Sequence, residues 1–206
     1  MIVLGLDTTG PECSVSIVDD AVVLAHVSDR IGRGHAEVLA GMVAQAIEAA
    51  GLSAGDIDRL AVCTGPGNFT GLRVALSFAI GFALPRDLPV IGINALVLTH
   101  MQMSTGVKTA SLIYKDVRRG EFMFASYAGL NPLSDAPPRT GTLIAIQNEA
   151  EHFRVPTIEV TQALDTRILA WLAINLDPAD YPPVPLYARG PDAKLPGGKT
   201  LPSSAR

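Results

Sequence analysis

Gly65-Pro66-Gly67-Asn68-Phe69-Thr70-Gly71-Leu72-Arg73 stands between the apolar run 60–64 and a hydrophobic segment that continues to Leu84. Leu60-Ala61-Val62-Cys63-Thr64 has the length and composition of a buried strand, and Gly65 and Gly67 let the chain turn sharply after it with amide groups pointing outward. A helix is predicted over 69–84, with Asn68 or Thr70 as its cap. Its first amides and the positive end of its dipole then form a natural anion site. The same glycines would equally serve a plain strand-to-helix turn that only needs close packing. Stricter phosphate motifs do not fit, because no Lys follows Gly71 and Thr70 occupies the place of the third glycine in a dinucleotide fingerprint. A second loop of similar kind ends the first strand at Asp7-Thr8-Thr9. Two such loops on one sheet usually face a phosphate, which makes Asp7, Thr8, Thr9, Gly65, Gly67, Asn68 and Thr70 the candidate phosphate- or nucleotide-facing set.

Working outward, 2–7, 13–18 and 22–27 read as three strands joined by turns at Gly10-Pro11 and Asp19-Asp20. Residues 35–50 place Val38, Leu39, Met42, Val43, Ala46, Ile47 and Ala50 on one helical stripe, and Gly51 stops it. Pro85 ends the helix that begins at Phe69. A strand at 90–93 and a short helix opened by Asn94 complete a β-β-β-α-β-α-β-α series, an α/β unit with a mixed sheet. The second half begins alike, with paired strands at 109–114 and 121–127 around Asp116-Val117-Arg118-Arg119-Gly120. Residues 128–139 read as a Pro-, Ser- and Asp-rich loop, 165–176 as a helix carrying Ile168, Leu169 and Leu172 on one face, and 196–206 as a mobile tail. The expected division is 1–105, 106–190 and a tail at 191–206.

The chain has 206 residues, 48% of them hydrophobic, enough for one substantial core or two small lobes. Its longest near-apolar run, 74–84, falls well short of the roughly 18 residues of a membrane span. No cationic region precedes the first apolar stretch, so a cytoplasmic location is expected. Cys13 and Cys63, the only cysteines, are expected to be buried thiols. A net charge of −4 offers no overall electrostatic footprint for a polyanion.

The helix at 69–84 is apolar all round, with Arg73 and Ser77 almost its only polar groups. A surface helix needs one apolar stripe, so a helix apolar on every side must be covered twice. One cover is its own sheet. The other is the helix at 35–50 or a second protein chain, and the width of the 35–50 stripe, sufficient to pack on the sheet itself, favours the second chain.

The four histidines form no i, i+4 pair of the kind a metal site starts from, so no metal centre is expected. His35, in the first turn of a helix, reads as a capping position rather than a base. Asp116, Arg118, Arg119 and Glu121 crowd a tight hairpin whose plainest reading is a solvated turn. No catalytic set can be assigned by spacing.

Leu6-Asp7-Thr8-Thr9, Gly34-His35-Ala36-Glu37, the 65–73 element, Asp116-Val117-Arg118-Arg119-Gly120-Glu121 and Pro185-Leu186-Tyr187-Ala188-Arg189, in that order, resemble the TsaB (YeaZ) family over nearly the whole chain. The resemblance implies an actin-like ATPase fold of two ribonuclease H-like lobes, and this sequence departs from the family in a second lobe reduced between residues 127 and 157. It implies a non-catalytic subunit of the bacterial machinery that forms N6-threonylcarbamoyladenosine at position 37 of tRNAs reading codons that begin with A. In that family the paralogue TsaD carries metal, nucleotide and the transfer step, the ATPase TsaE joins, and tRNA is met only through the complex. The chain is therefore expected to have no cofactor of its own and no activity alone. The helices 35–50 and 69–84 would meet TsaD, with His35, Leu39, Met42, Val43, Phe69, Arg73, Leu76, Phe78, Ile80 and Phe82 as contacts. Homodimerisation through the same helices is the variant of this reading. The alternative is an autonomous ATP-using enzyme of sugar-kinase type, with Asp7, Thr8 and Thr9 around phosphates and Asp116 assisting. Two further departures from the family pattern are Asn68, which stands for a usual Ser in the 65–73 element, and Ala75, which stands where a Gly is common.

Overall fold

Strands β1 (Ile2–Asp7), β2 (Glu12–Asp19) and β3 (Val22–Arg30) form an antiparallel meander, with Leu4 opposite Ile17 and Leu6 opposite Val15. This is a computed structural model, and it describes residues 1–103 and 110–188. After α1 (His35–Ala49), β4 (Arg59–Cys63) joins parallel to β1. After α2 (Phe69–Ala83), β5 (Val90–Ile93) joins parallel to β4. The resulting order β3-β2-β1-β4-β5 is that of a ribonuclease H-type sheet.

The near-continuous hydrophobic runs of β1 and β4 follow from burial on both faces. Leu4, Leu6, Leu60 and Val62 point into one core with Leu39, Met42 and Val43 of α1 and Leu72, Ala75, Leu76 and Ala79 of α2. Val3, Ala61 and Cys63 point the other way, into a core shared with helices α3 (Ala95–Met103) and α5 (Thr166–Ala173). Helix α5 lies so close to the sheet that a Cβ on Gly5 would stand 2.7 Å from the Thr166 carbonyl oxygen. The Arg59 Nη1 donates to the carbonyls of Ala173 at 2.6 Å and Leu176 at 2.8 Å, satisfying acceptors at and beyond the C-terminus of α5.

A second sheet pairs β6 (Ala110–Asp116) antiparallel with β7 (Phe122–Ala128) and carries β8 (Asn131–Pro132), β9 (Arg139–Gly141) and β10 (Thr157–Glu159). The second core contains Ile113, Met123, Ala125 and Tyr127 of this sheet together with Val3 and Ile91 of the first, so the two sheets share apolar packing.

Two sequence expectations need correction. Residues 128–139, read as a loop, hold β8 and the first residue of β9, and an eleven-residue helix that the sequence reading did not place, α4 (Leu143–Phe153), capped by Thr142, follows them. Its pattern was hard to see because only Ile146, Glu149 and Ala150 are buried, and Glu149 is buried by pairing with Arg139 and accepting a hydrogen bond from Ser126 at 2.8 Å. The helix read over 165–176 ends at Ala173, where Arg59 takes up the following carbonyls. The expected tail and Arg189 lie outside the described residues. No helix among the described residues is long and apolar enough to cross a membrane.

Candidate functional site: loop junction and helix ridge

The loop after β1 and the loop before α2 meet, and they bond to each other. Asn68 N–H donates to the Thr9 carbonyl at 2.8 Å, the Thr8 hydroxyl donates to the Gly71 carbonyl at 2.6 Å, and the Asn68 side chain caps α2 by accepting from Thr70 N–H at 3.2 Å. The glycines are required by this contact. A Cβ on Gly71 would run into the Thr8 carbonyl oxygen, and one on Gly67 would stand 2.5 Å from the Thr9 Cβ. Of the two roles the sequence left open for these glycines, close packing is the one these distances describe.

Asp7 is 3% exposed, and its Oδ1 accepts from Thr9 N–H at 3.0 Å and the Thr9 hydroxyl at 2.7 Å. Burial pushes its carboxyl above the usual carboxylate range, opposed by the Thr9 bonds and the charge of Lys115. Among the candidate phosphate-facing residues, Asp7, Thr8 and Gly65 are thus interior, while Thr9, Gly67 and Asn68 line a cleft of about 570 Å³ between the two sheets. Thr70 lines the neighbouring groove instead. The cleft also takes in Gly32 and, from the β6–β7 hairpin, Lys115, Asp116 and Arg118; the sequence read Asp116 and Arg118 as part of a solvated turn and gave Asp116 a phosphate role only in the sugar-kinase alternative. Cys63, fully buried beside Thr9, has its thiol pushed far up by burial and the Asp7 charge, as befits an inert core thiol. Among the described residues no group of three or more His, Cys, Asp and Glu side chains is placed to hold a metal ion.

The second surface is the outer side of α1 and α2. Helix α2 seats Leu72, Ala75, Leu76, Ala79 and Ala83 on the sheet, yet Phe69, Ile80 and the adjoining Leu84 remain 46%, 48% and 75% exposed on one flank, and Val74, Phe78 and Phe82 are half-buried on the other. Alongside, α1 turns Ala36, Ala40, Gly41 and Ala44 outward. A groove of about 530 Å³ runs between the helices, lined by Ala36, Leu39, Phe69, Arg73, Val74 and Phe78 among others. Of the predicted partner contacts, Phe69, Arg73 and Ile80 are exposed, and Phe78 and Phe82 are half-exposed. Leu39 contributes to the groove but is only 1% exposed. His35, Met42, Val43 and Leu76 are spent on the chain's own core, and the His35 ring lies 3.2 Å from the Glu12 carbonyl. Their apolar periodicity is that of a helix seated on a sheet, which sequence alone does not distinguish from a docking stripe.

One member of this surface escaped the sequence reading. Tyr187 packs against Phe69 with the rings tilted by 40° and their centroids 5.2 Å apart, and it accepts a 3.1 Å hydrogen bond from Arg73 Nε, whose guanidinium covers the Phe69 ring at 3.8 Å. The separation of 114 residues hides this contact from local patterns. The chain reaches it because Leu186 N–H bonds the Thr64 carbonyl at 2.8 Å.

A family model described as TsaD, tRNA N6-adenosine threonylcarbamoyltransferase, matches residues 25–140, more than half of the chain. The tRNA threonylcarbamoyladenosine biosynthesis protein TsaB of Escherichia coli is 36% identical over 132 residues, covering 62% of this chain and 55% of that protein. The chain belongs to the TsaB (YeaZ) family. An uncharacterized protein of Mycobacterium tuberculosis is similar to this TsaB-family chain over 205 residues at 33% identity, covering 93% of each. Among solved structures, YeaZ from Pseudomonas aeruginosa superposes with a TM-score of 0.71 at 18% identity, over 91% of this chain and all of the other (100%), a likeness of fold.

Proposed function

We propose that this chain serves tRNA threonylcarbamoyladenosine biosynthesis as a non-catalytic subunit that binds and stabilises a TsaD-type transferase, which carries the nucleotide and metal. The role in that biosynthesis rests on the names of its TsaB relatives. The subunit role is carried by one observation: with Leu72, Ala75, Leu76, Ala79 and Ala83 seated on its own sheet, α2 still leaves Phe69, Ile80 and the adjoining Leu84 exposed and Phe78 and Phe82 half-exposed. An interface of standard size removes about 1,600 Å² from water and centres on such aromatic and aliphatic anchors. The outward alanines and Gly41 of α1 let a partner's backbone come close beside the ridge.

Ile80→Asp places a charge at the middle of the ridge without touching the chain's core. It is expected to abolish co-purification with a TsaD-type partner while the thermal unfolding of the isolated chain stays unchanged. Wild-type association by Ile80→Asp would overturn the proposed surface.

A further inference from the structure

The β6–β7 hairpin does more than close a strand pair. Val117 N–H donates to the Glu121 carbonyl at 3.0 Å, leaving Arg118, Arg119 and Gly120 as the tip, and all three have positive φ (72°, 61° and 74°). Arginine in this region is uncommon, and two in succession carry a local conformational cost that an Asn or Gly would reduce. Asp116 offsets part of it by accepting from Arg118 N–H at 2.6 Å. Arg118 and Arg119 are both exposed, and Arg118 lines the cleft together with Lys115, Asn68 and Gly67. Among the described residues the Arg119 and Lys115 side chains form no hydrogen bond or ion pair, and the Lys115 charge also acts on the buried Asp7. Across the cleft, Gly32 lines the wall and the adjoining Arg33 is exposed.

Residues 115–121 carry Lys115, Arg118 and Arg119 against Asp116 and Glu121, so the hairpin is net positive in a chain whose net charge is −4.

We infer that the hairpin tip, Arg118 and Arg119 with Lys115 behind them, is a contact for the phosphodiester backbone of the tRNA. This inference rests on the role in tRNA modification proposed above and adds a direct RNA contact made by this subunit. Two arginines and a lysine on a convex tip suit sequence-independent engagement of phosphates, which positions an RNA without reading its bases. The acidic remainder of the body limits how far the RNA spreads over the chain, so the contact is local and contributes register more than affinity.

The test is fluorescence anisotropy of an end-labelled tRNA transcript at several salt concentrations. It is titrated with the chain alone and with the chain mixed with a TsaD-type transferase. Wild type is compared with Arg118→Gln/Arg119→Gln and with Arg118→Lys/Arg119→Lys. The glutamine pair is expected to weaken RNA binding about tenfold in at least one setting and to lower the salt slope by about one to two, the signature of one or two lost phosphate contacts. The lysine pair keeps the charge and is expected to retain most of the affinity. Equal affinities and slopes for wild type and the glutamine pair in both settings overturn the inference. So does a lysine pair as weak as the glutamine pair, which would mean packing rather than charge. Displacement of the RNA by ATP at the hairpin would overturn it in favour of a nucleotide. Co-purification with the transferase is measured on the same samples. Its loss in wild type counts against the subunit role, whereas intact association with unchanged RNA binding counts against the hairpin alone.

Discussion

Thr8 and Thr9 decide what the glycine turn before α2 can be. They fill the space in front of Gly67 and Gly71 and bond the opposite loop, so these glycines exist to admit a neighbouring chain segment. Gly71→Ala must displace the Thr8 carbonyl. It is expected to cost about 2–3 kcal/mol, as overpacking does, and to lower the melting temperature by roughly 5–10 °C in a scanning calorimeter. Asp7 presents the complementary case. Its folded pKa is raised by burial, so whatever stability its protonated form contributes is present below the ordinary carboxylate pKa and is lost as pH rises through the folded value. Asn at this position can still accept from Thr9 and carries no charge to bury. Asp7→Asn is therefore expected to melt at or above the wild-type temperature at pH 7.5, and a fall of several degrees would show that the ionised carboxylate has a stabilising partner.

At the scale of elements, the first sheet and its helices were legible because both of their periodicities are clean. Alternate residues of β1 and β4 feed two cores, and α1 and α2 begin at the residues their apolar stripes suggested, each ending a residue before the expected end. The second half was legible only in part. Helix α4 buries Glu149 where a pattern search looks for an apolar residue, and Leu143 and Ile144 are exposed where it looks for polar ones. The partner surface was read too broadly for the opposite reason: an apolar stripe marks burial, and for His35, Met42, Val43 and Leu76 the burying surface is the chain's own sheet. Arg59 illustrates a link between elements that no local pattern contains. Arg59→Met keeps the aliphatic stem but strands the carbonyls that follow α5, and it is expected to destabilise the chain by about 1–3 kcal/mol in urea unfolding.

On the scale of the whole molecule, the two sheets are joined by a shared core in which His100 of α3 is 1% exposed, bonds the Ser111 hydroxyl of β6 at 2.6 Å through Nδ1 and has no partner for Nε2. Burial holds its pKa below the ordinary 6.5, so its contribution to stability is full above that value and is lost as pH falls below it toward the folded pKa. Thermal melts between pH 7 and 5 should show this decline, and His100→Gln should flatten it. On the proposed reading this body carries two surfaces of different use, the α1–α2 ridge for a protein and the arginine hairpin for RNA. The claim on which both rest is that the ridge is an interface with a TsaD-type transferase. Isothermal titration of the full chain into such a transferase tests it most directly. A stoichiometry of one to one, micromolar or tighter affinity and the negative heat-capacity change of apolar burial are predicted; no heat at any temperature, with the chain still folded, would contradict the account.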